Sequence, residues 1–183
     1  MLAACSGGET YVPKPRGYPR IDFPAKDYQM LQLEGLPYRF EAPGYAKLEK
    51  DTTANLTSGY AWYNLNFKPY NATLHITYYK FSDWEFFDSL VYDTRKLVNK
   101  HLQRAEDIVE KPLSLWNPEL KGVMFDIQGN TATNLNFYVT DSSRHFLRAA
   151  LYFNRQTQRD SIEPVFQFLK QDVAHILNTF HWN

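Results

Sequence analysis

Three features of the sequence predict an α+β layered sandwich. Two segments of strict apolar alternation lie either side of a Lys-Pro-Tyr-Asn turn, three more such segments follow later, and each group precedes a stretch with three- and four-residue apolar steps. The order strand, hairpin, helix, strand meander, helix stacks two long helices on a mostly antiparallel sheet of about five to six strands in a single domain. At 183 residues the chain is long enough to bury a core without disulfides or a structural metal.

Residues 6–29 read as an extended arm. Pro13, Pro15, Pro19 and Pro24 fix φ and remove backbone donors, which excludes a helix or a central strand. Tyr11, Tyr18, Ile21 and Phe23 give part of this arm a reason to dock on the domain that occupies residues 30–183. Pro37 and Pro43 bracket Tyr38 to Glu41, a short strand expected at a sheet edge. After a polar turn from Lys50 to Ser58, Ala61, Tyr63, Leu65 and Phe67 alternate with Trp62, Asn64, Asn66 and Lys68. Ala72, Leu74, Ile76 and Tyr78 then alternate with Thr73, His75, Thr77 and Tyr79, and the turn at residues 68–71 makes the two strands an antiparallel hairpin.

Ser82-Asp83-Trp84-Glu85 reads as a capping box, with Ser82 as the cap. A helix is expected from there to about Glu106, with Trp84, Phe87, Val91, Val98 and Leu102 facing inward and Asp88, Lys96 and Lys100 outward. Val123, Phe125 and Ile127 open the second strand group, and Gly129-Asn130 turns it into Leu135, Phe137 and Val139. Asp141-Ser142-Ser143 is a further turn. The strand Phe146 to Phe153 that follows is apolar on both faces, which places it near the middle of the sheet. A second helix begins at Asp160, with Glu163 three residues on and Pro164 in the tolerant first turn. Its stripe runs through Ile162, Val165, Phe166, Leu169, Val173, Ile176, Leu177 and Phe180.

Equal numbers of basic and acidic residues, 20 of each, supply no electrostatic drive toward nucleic acid. No stretch approaches the length of uninterrupted apolar sequence needed to span a bilayer. The single cysteine, Cys5, closes no intramolecular disulfide. It ends the tetrapeptide Leu2-Ala3-Ala4-Cys5, which resembles a bacterial lipobox, and Ser6-Gly7-Gly8 follows as a flexible tether. Residues 1–5 are therefore expected to be the remnant of a lipoprotein signal, with Cys5 as the lipidated residue and membrane anchor.

Several segments together carry a family resemblance. They are the arm from Tyr11 to Ile21, Asn71-Ala72-Thr73-Leu74-His75-Ile76, Asp93-Thr94-Arg95-Lys96-Leu97 through His101, Asp126 to Ala132, and Thr140 to Phe153, with Asp160-Ser161 and Pro164-Val165 beyond. In this order they resemble the gliding motility lipoprotein GldD family over nearly the whole chain, with Ala149 departing where glycine is expected. The resemblance implies a lipid-anchored envelope protein required for gliding and associated with type IX secretion. Its partners would be other gliding and secretion proteins. It transfers no catalytic residue, and only Glu9 follows the cysteine as an acidic residue, which favours an anchor facing the periplasm. The element order is also similar to PsbP-type sandwiches, which implies nothing about function.

Asp126, Asp141, Arg144, His145 and Arg148 are expected to crowd the ends of three neighbouring strands. A hydrolase would use His145 as general base oriented by Asp126 or Asp141, yet no Gly-x-Ser-x-Gly elbow supplies a nucleophile. The five histidines form no metal-binding spacing, and no glycine-rich phosphate loop is present, so neither metal nor cofactor is expected. Aromatic residues, 16% of the chain, are the stronger lead, because those at strand ends and loops suit a protein partner or a sugar face. Trp62, Asn64 and His75, with Asp126, His145 and Arg148, are the candidate ligand or partner contacts. The expected function is non-enzymatic partner binding; the alternative is an envelope hydrolase or a protein binding cell-wall glycan.

Overall fold

The computed structural model describes residues 20–32, 35–51, 60–154 and 159–183. Cys5, the arm before Arg20 and most of the polar turn from Lys50 to Ser58 lie outside the described residues. In chain order the elements are β1 (Tyr28–Gln32), β2 (Tyr38–Pro43), β3 (Lys47–Lys50), β4 (Tyr60–Phe67), β5 (Ala72–Lys80), α1 (Trp84–Asn99), β6 (Ala105–Pro112), β7 (Lys121–Gly129), β8 (Thr133–Thr140), β9 (His145–Phe153), α2 (Arg159–Asn178) and β10 (His181–Trp182).

The fold is α+β, with more strands than expected. A seven-stranded sheet runs β3-β4-β5-β9-β8-β7-β6, antiparallel throughout, and a three-stranded sheet runs β1-β2-β10. One face of the large sheet packs against α2 and the small sheet. Leu65, Leu74, Leu135, Leu147 and Leu151 meet Phe166, Leu169, Val173 and Leu177 there, with Tyr38 and Phe40 of β2. The other face carries a smaller cluster beneath α1, built on Phe125, Ile127, Tyr138 and Phe146 with Leu90 and Val98.

The β4–β5 hairpin forms as its alternation predicts, pairing Asn64 with His75 and Leu65 with Leu74. Pro69 sits second in a single 3-10 turn from Lys68 to Tyr70, and Asn71 closes it at φ 49, a left-handed conformation that asparagine tolerates. β9 is fourth of the seven strands, as expected from its apolar faces. The strand buried along its whole length is its neighbour β8, in spite of Asn134 and Asn136. Gly122 holds φ +147 in β7, where a Cβ would stand 2.0 Å from the carbonyl oxygen of Tyr138. Only glycine lets these two strands close at that point.

Four expectations are corrected. The cap of α1 is Asp83, whose Oδ1 accepts the Phe86 amide at 2.7 Å; the extended backbone needed at a cap (φ −135, ψ 154) falls on Asp83. The helix stops at Asn99, and the residues expected to extend it to Glu106 instead begin β6, an edge strand hydrogen-bonded to β7. The inward stripe is Leu90, Thr94 and Val98 with Phe87 and Val91 beside it, while Trp84 and Leu102 point to solvent. Tyr38–Pro43 is the centre of the small sheet, flanked by β1 and β10, and its proline lies at the strand's last position.

The described end of the arm docks on α2. Phe23 stacks on Phe168 with ring centroids 4.3 Å apart. Lys26 reaches the fully buried Asp172 at 2.6 Å and the Phe168 carbonyl at 3.0 Å. The hydroxyls of Tyr28 and Tyr45 donate to the same carboxylate. Three donors, two from the end of the arm and one from the connection between β2 and β3, thereby satisfy one buried acid.

Candidate functional site

Side chains alternate across the large sheet, so each cross-strand row on the α1 face is fixed by register. One row runs Asn64, His75, Ala150, Asn136; the next runs Trp62, Thr77, Arg148, Tyr138. Where β7 and β8 present Phe125 and Tyr138, α1 packs directly on the sheet. Where the rows change to His75, Thr77 and the small Ala150, the helix stands clear. A pocket of about 480 Å³ opens between them, within the usual size range of small-molecule sites. From the helix side, Thr94, Leu97 and Val98 line it, and Lys100 and His101 of the following turn close one end.

The polar wall is held by a chain of hydrogen bonds from the sheet edge. Asp51 accepts the Asn64 amide at 3.4 Å, so Asn64 turns its carbonyl toward His75 Nδ1, 2.7 Å away. His75 Nδ1 must then carry the hydrogen, which leaves Nε2 as an acceptor. A parallel chain two pairs along the hairpin, on the same face, links Glu49, Asn66 and Thr73. Crowding by neighbouring atoms pulls the His75 pKa below the ordinary histidine value against the opposing charge of Asp51, although the ring edge stays open to solvent. Burial lowers His101 in the same direction. Both imidazoles are therefore neutral near neutral pH. The Tyr152 ring meets His75 edge-on at 5.4 Å.

Arg148 supplies the charge. Its side chain is half-buried, and among the described residues no carboxylate pairs with it. Its field works against burial at Tyr79 and Tyr152, whose phenol pKa values burial raises. Asn136 is 7% exposed; its Oδ1 accepts from Thr133, and its Nδ2 has no acceptor among the described residues. The lining thus offers the cations Arg148 and Lys100, the open Asn136 amide and neutral imidazole on apolar walls, and among the described residues it contains no carboxylate.

Four of the six sequence candidates, Trp62, Asn64, His75 and Arg148, share this face. Asp126 and His145 lie on the opposite face and far from one another along it. Asp126 is buried under α2 and bonded to Lys170 at 2.5 Å, with Lys111 at 3.5 Å. It borders a polar cavity of about 420 Å³ with Glu106, Gln128 and Asp160. His145 sits at the start of β9, its Nδ1 2.7 Å from the Tyr78 hydroxyl and its ring stacked 5.5 Å from Trp182. Asp141 accepts from the backbone amides of its own turn. Of the groups expected to crowd one set of strand ends, Asp141, Arg144 and His145 meet in the β8–β9 turn while Asp126 and Arg148 lie elsewhere, and neither aspartate hydrogen-bonds the His145 ring. Sequence reasoning missed Thr94, Leu97, Asn136 and Tyr152. Their only signal was that Thr94 and Asn136 interrupt positions where an apolar residue would seal helix to sheet.

The outer side of α1 has a separate character. Trp84 in its first turn is 64% exposed and Tyr92 66%; eight residues apart, they lie about 80° from one another around the helix, and the Trp84 ring meets Phe87 edge-on at 5.4 Å.

Among comparisons with known proteins, the sequence pattern described as gliding motility lipoprotein GldD matches residues 8–182. No curated protein matches the chain. The solution structure of cyanobacterial PsbP (CyanoP) from Synechocystis shares 11% identity, covering 87% of this chain and 95% of that one at a TM-score of 0.49.

Proposed function

The chain belongs to the gliding motility lipoprotein GldD family, and from that premise we propose that it acts in gliding by binding another protein of the envelope machinery, without a catalytic step of its own. The observation that carries this reading is the pair Trp84 and Tyr92. Large rings held on a rigid helix and left mostly in solvent have the character of interface anchors, which lose little conformational entropy on burial. In this reading Cys5 carries the lipid, the domain faces the periplasm, and the partner belongs to the gliding or type IX secretion apparatus.

Affinity purification from solubilised envelopes tests the docking face. Truncating two aromatic anchors at about 2 kcal/mol each should weaken capture by about 30-fold apiece and by up to about 1,000-fold together, so Trp84→Ala with Tyr92→Ala should lose gliding or secretion components that the unaltered protein retains. Undiminished capture by a variant with unchanged thermal unfolding would refute it. Mass spectrometry of protein expressed with an intact signal tests the anchor separately, and an unmodified Cys5 thiol would exclude it.

A further inference from the structure

We propose that the pocket beneath α1 is a binding site for a carboxylate carried on an apolar body. The site lies on the inner side of the helix, so it stands apart from partner docking on the outer side. Arg148 is the anchor. A half-buried guanidinium without a carboxylate gives up hydration and gains no partner, an arrangement that favours an anionic ligand in the empty place. Asn136 Nδ2, on the next strand and diagonal to Arg148 on the same face, two register pairs away, is a second donor with no acceptor among the described residues. Two donors converging from adjacent strands suit the two oxygens of one carboxylate.

The remaining lining sets the rest of the ligand. Leu97, Val98, Ala150 and the Tyr152 ring form apolar walls for an aliphatic or aromatic body. His75 Nε2, fixed as an acceptor by the Asp51–Asn64 chain, can take a hydrogen bond from a ligand hydroxyl or amide. A single negative charge fits better than two. The pocket borders the C-terminal end of α1, whose carbonyl dipoles oppose added negative charge. The whole charges of Arg148 and Lys100 outweigh that half-charge for a monoanion, whereas each further negative charge on the ligand adds to the opposition. Two sources carry this chemistry, a free small acid and the C-terminus of a peptide with an apolar last residue.

Titration of the full chain, followed by calorimetry and by amide chemical shifts, discriminates these. The probes are phenylacetate, its neutral amide phenylacetamide, and the tripeptide N-acetyl-Gly-Gly-Phe with a free or amidated C-terminus. Saturable binding of phenylacetate or the free tripeptide is expected with Kd below about 1 mM, and at least about tenfold weaker binding of the matching amide. The tighter of the two acids identifies the source. Arg148→Gln should lose at least about tenfold for the acids and leave the amides unchanged, while folding as stably as the parent because it removes an unpaired charge. Leu97→Trp, at a 39% exposed position, should block the site with Arg148 intact. Equal affinity for acid and amide, retained affinity in Arg148→Gln, or no saturable shift at pocket residues up to about 10 mM would each overturn the proposal.

Discussion

Replacing Asp141 by alanine should destabilise the fold by an amount that depends on pH in a calculable way. Asp141 Oδ1 accepts the backbone amides of Ser143, Arg144 and His145 at 2.8 to 2.9 Å, and Oδ2 accepts the Ser143 hydroxyl at 2.8 Å. Burial would raise its pKa. The amides of Arg144, Ser143 and His145 and the Ser143 hydroxyl overcome that and bring it down to about 2. Against an ordinary aspartate near 3.9 this corresponds to about 2.5 kcal/mol at full weight, which solvent screening of a partly exposed turn reduces to about 1–2 kcal/mol. The folded pKa is depressed, so the stabilisation is fully present above the unfolded value of about 3.9 and is lost as pH falls through the folded value. The stability difference between parent and Asp141→Ala, from urea unfolding, should be about 1–2 kcal/mol near pH 7 and about half that near pH 3. Taking the difference cancels every other carboxylate. A gap that stays constant over this range, or widens toward low pH, would show that the turn does not hold the carboxylate's charge.

The arm should be held by charge as well as packing. Lys26→Met leaves the fully buried Asp172 with two hydroxyl partners and no cation, for an expected loss of about 3–5 kcal/mol in urea unfolding, with faster proteolysis within residues 20–32. Adding Asp172→Leu should restore most of that stability, and a double variant no better than the single would contradict it. At the start of α1, Asp83→Ala should cost about 1 kcal/mol and Ser82→Ala less than about 0.5. Equal effects in thermal unfolding would return the cap to Ser82.

The parts of the fold that were legible in the sequence are those with local causes. The β4–β5 register follows from strict alternation about one turn, and β9 reads as central because both its faces are apolar. The α2 stripe from Phe166 to Leu177 buries as its spacing requires. Where two local solutions compete, the sequence misleads. Ala105-Glu106-Asp107-Ile108-Val109-Glu110-Lys111 is as good a helix continuation as it is a strand, and β6 exists because β7 offers an unpaired edge. Ser82 and Asp83 are both competent caps, and the direction in which the chain leaves β5 chooses between them. The candidate site was legible only in part. Trp62, Asn64 and His75 share a face by hairpin alternation alone, whereas Arg148 joins them through the β5–β9 pairing of residues far apart in the chain.

What the sequence by itself determined is the α+β class, the hairpin, the two amphipathic helices and the family, because periodicity and turn chemistry act over a few residues and motif order spans the whole chain. Tertiary structure alone decided that Asp126 neutralises lysines under α2, that His145 bonds a tyrosine, and that Arg148 faces a cavity unpaired. Each outcome depends on which strand lies beside which and on where a helix rests. Those contacts join residues tens of positions apart, and no local spacing encodes them.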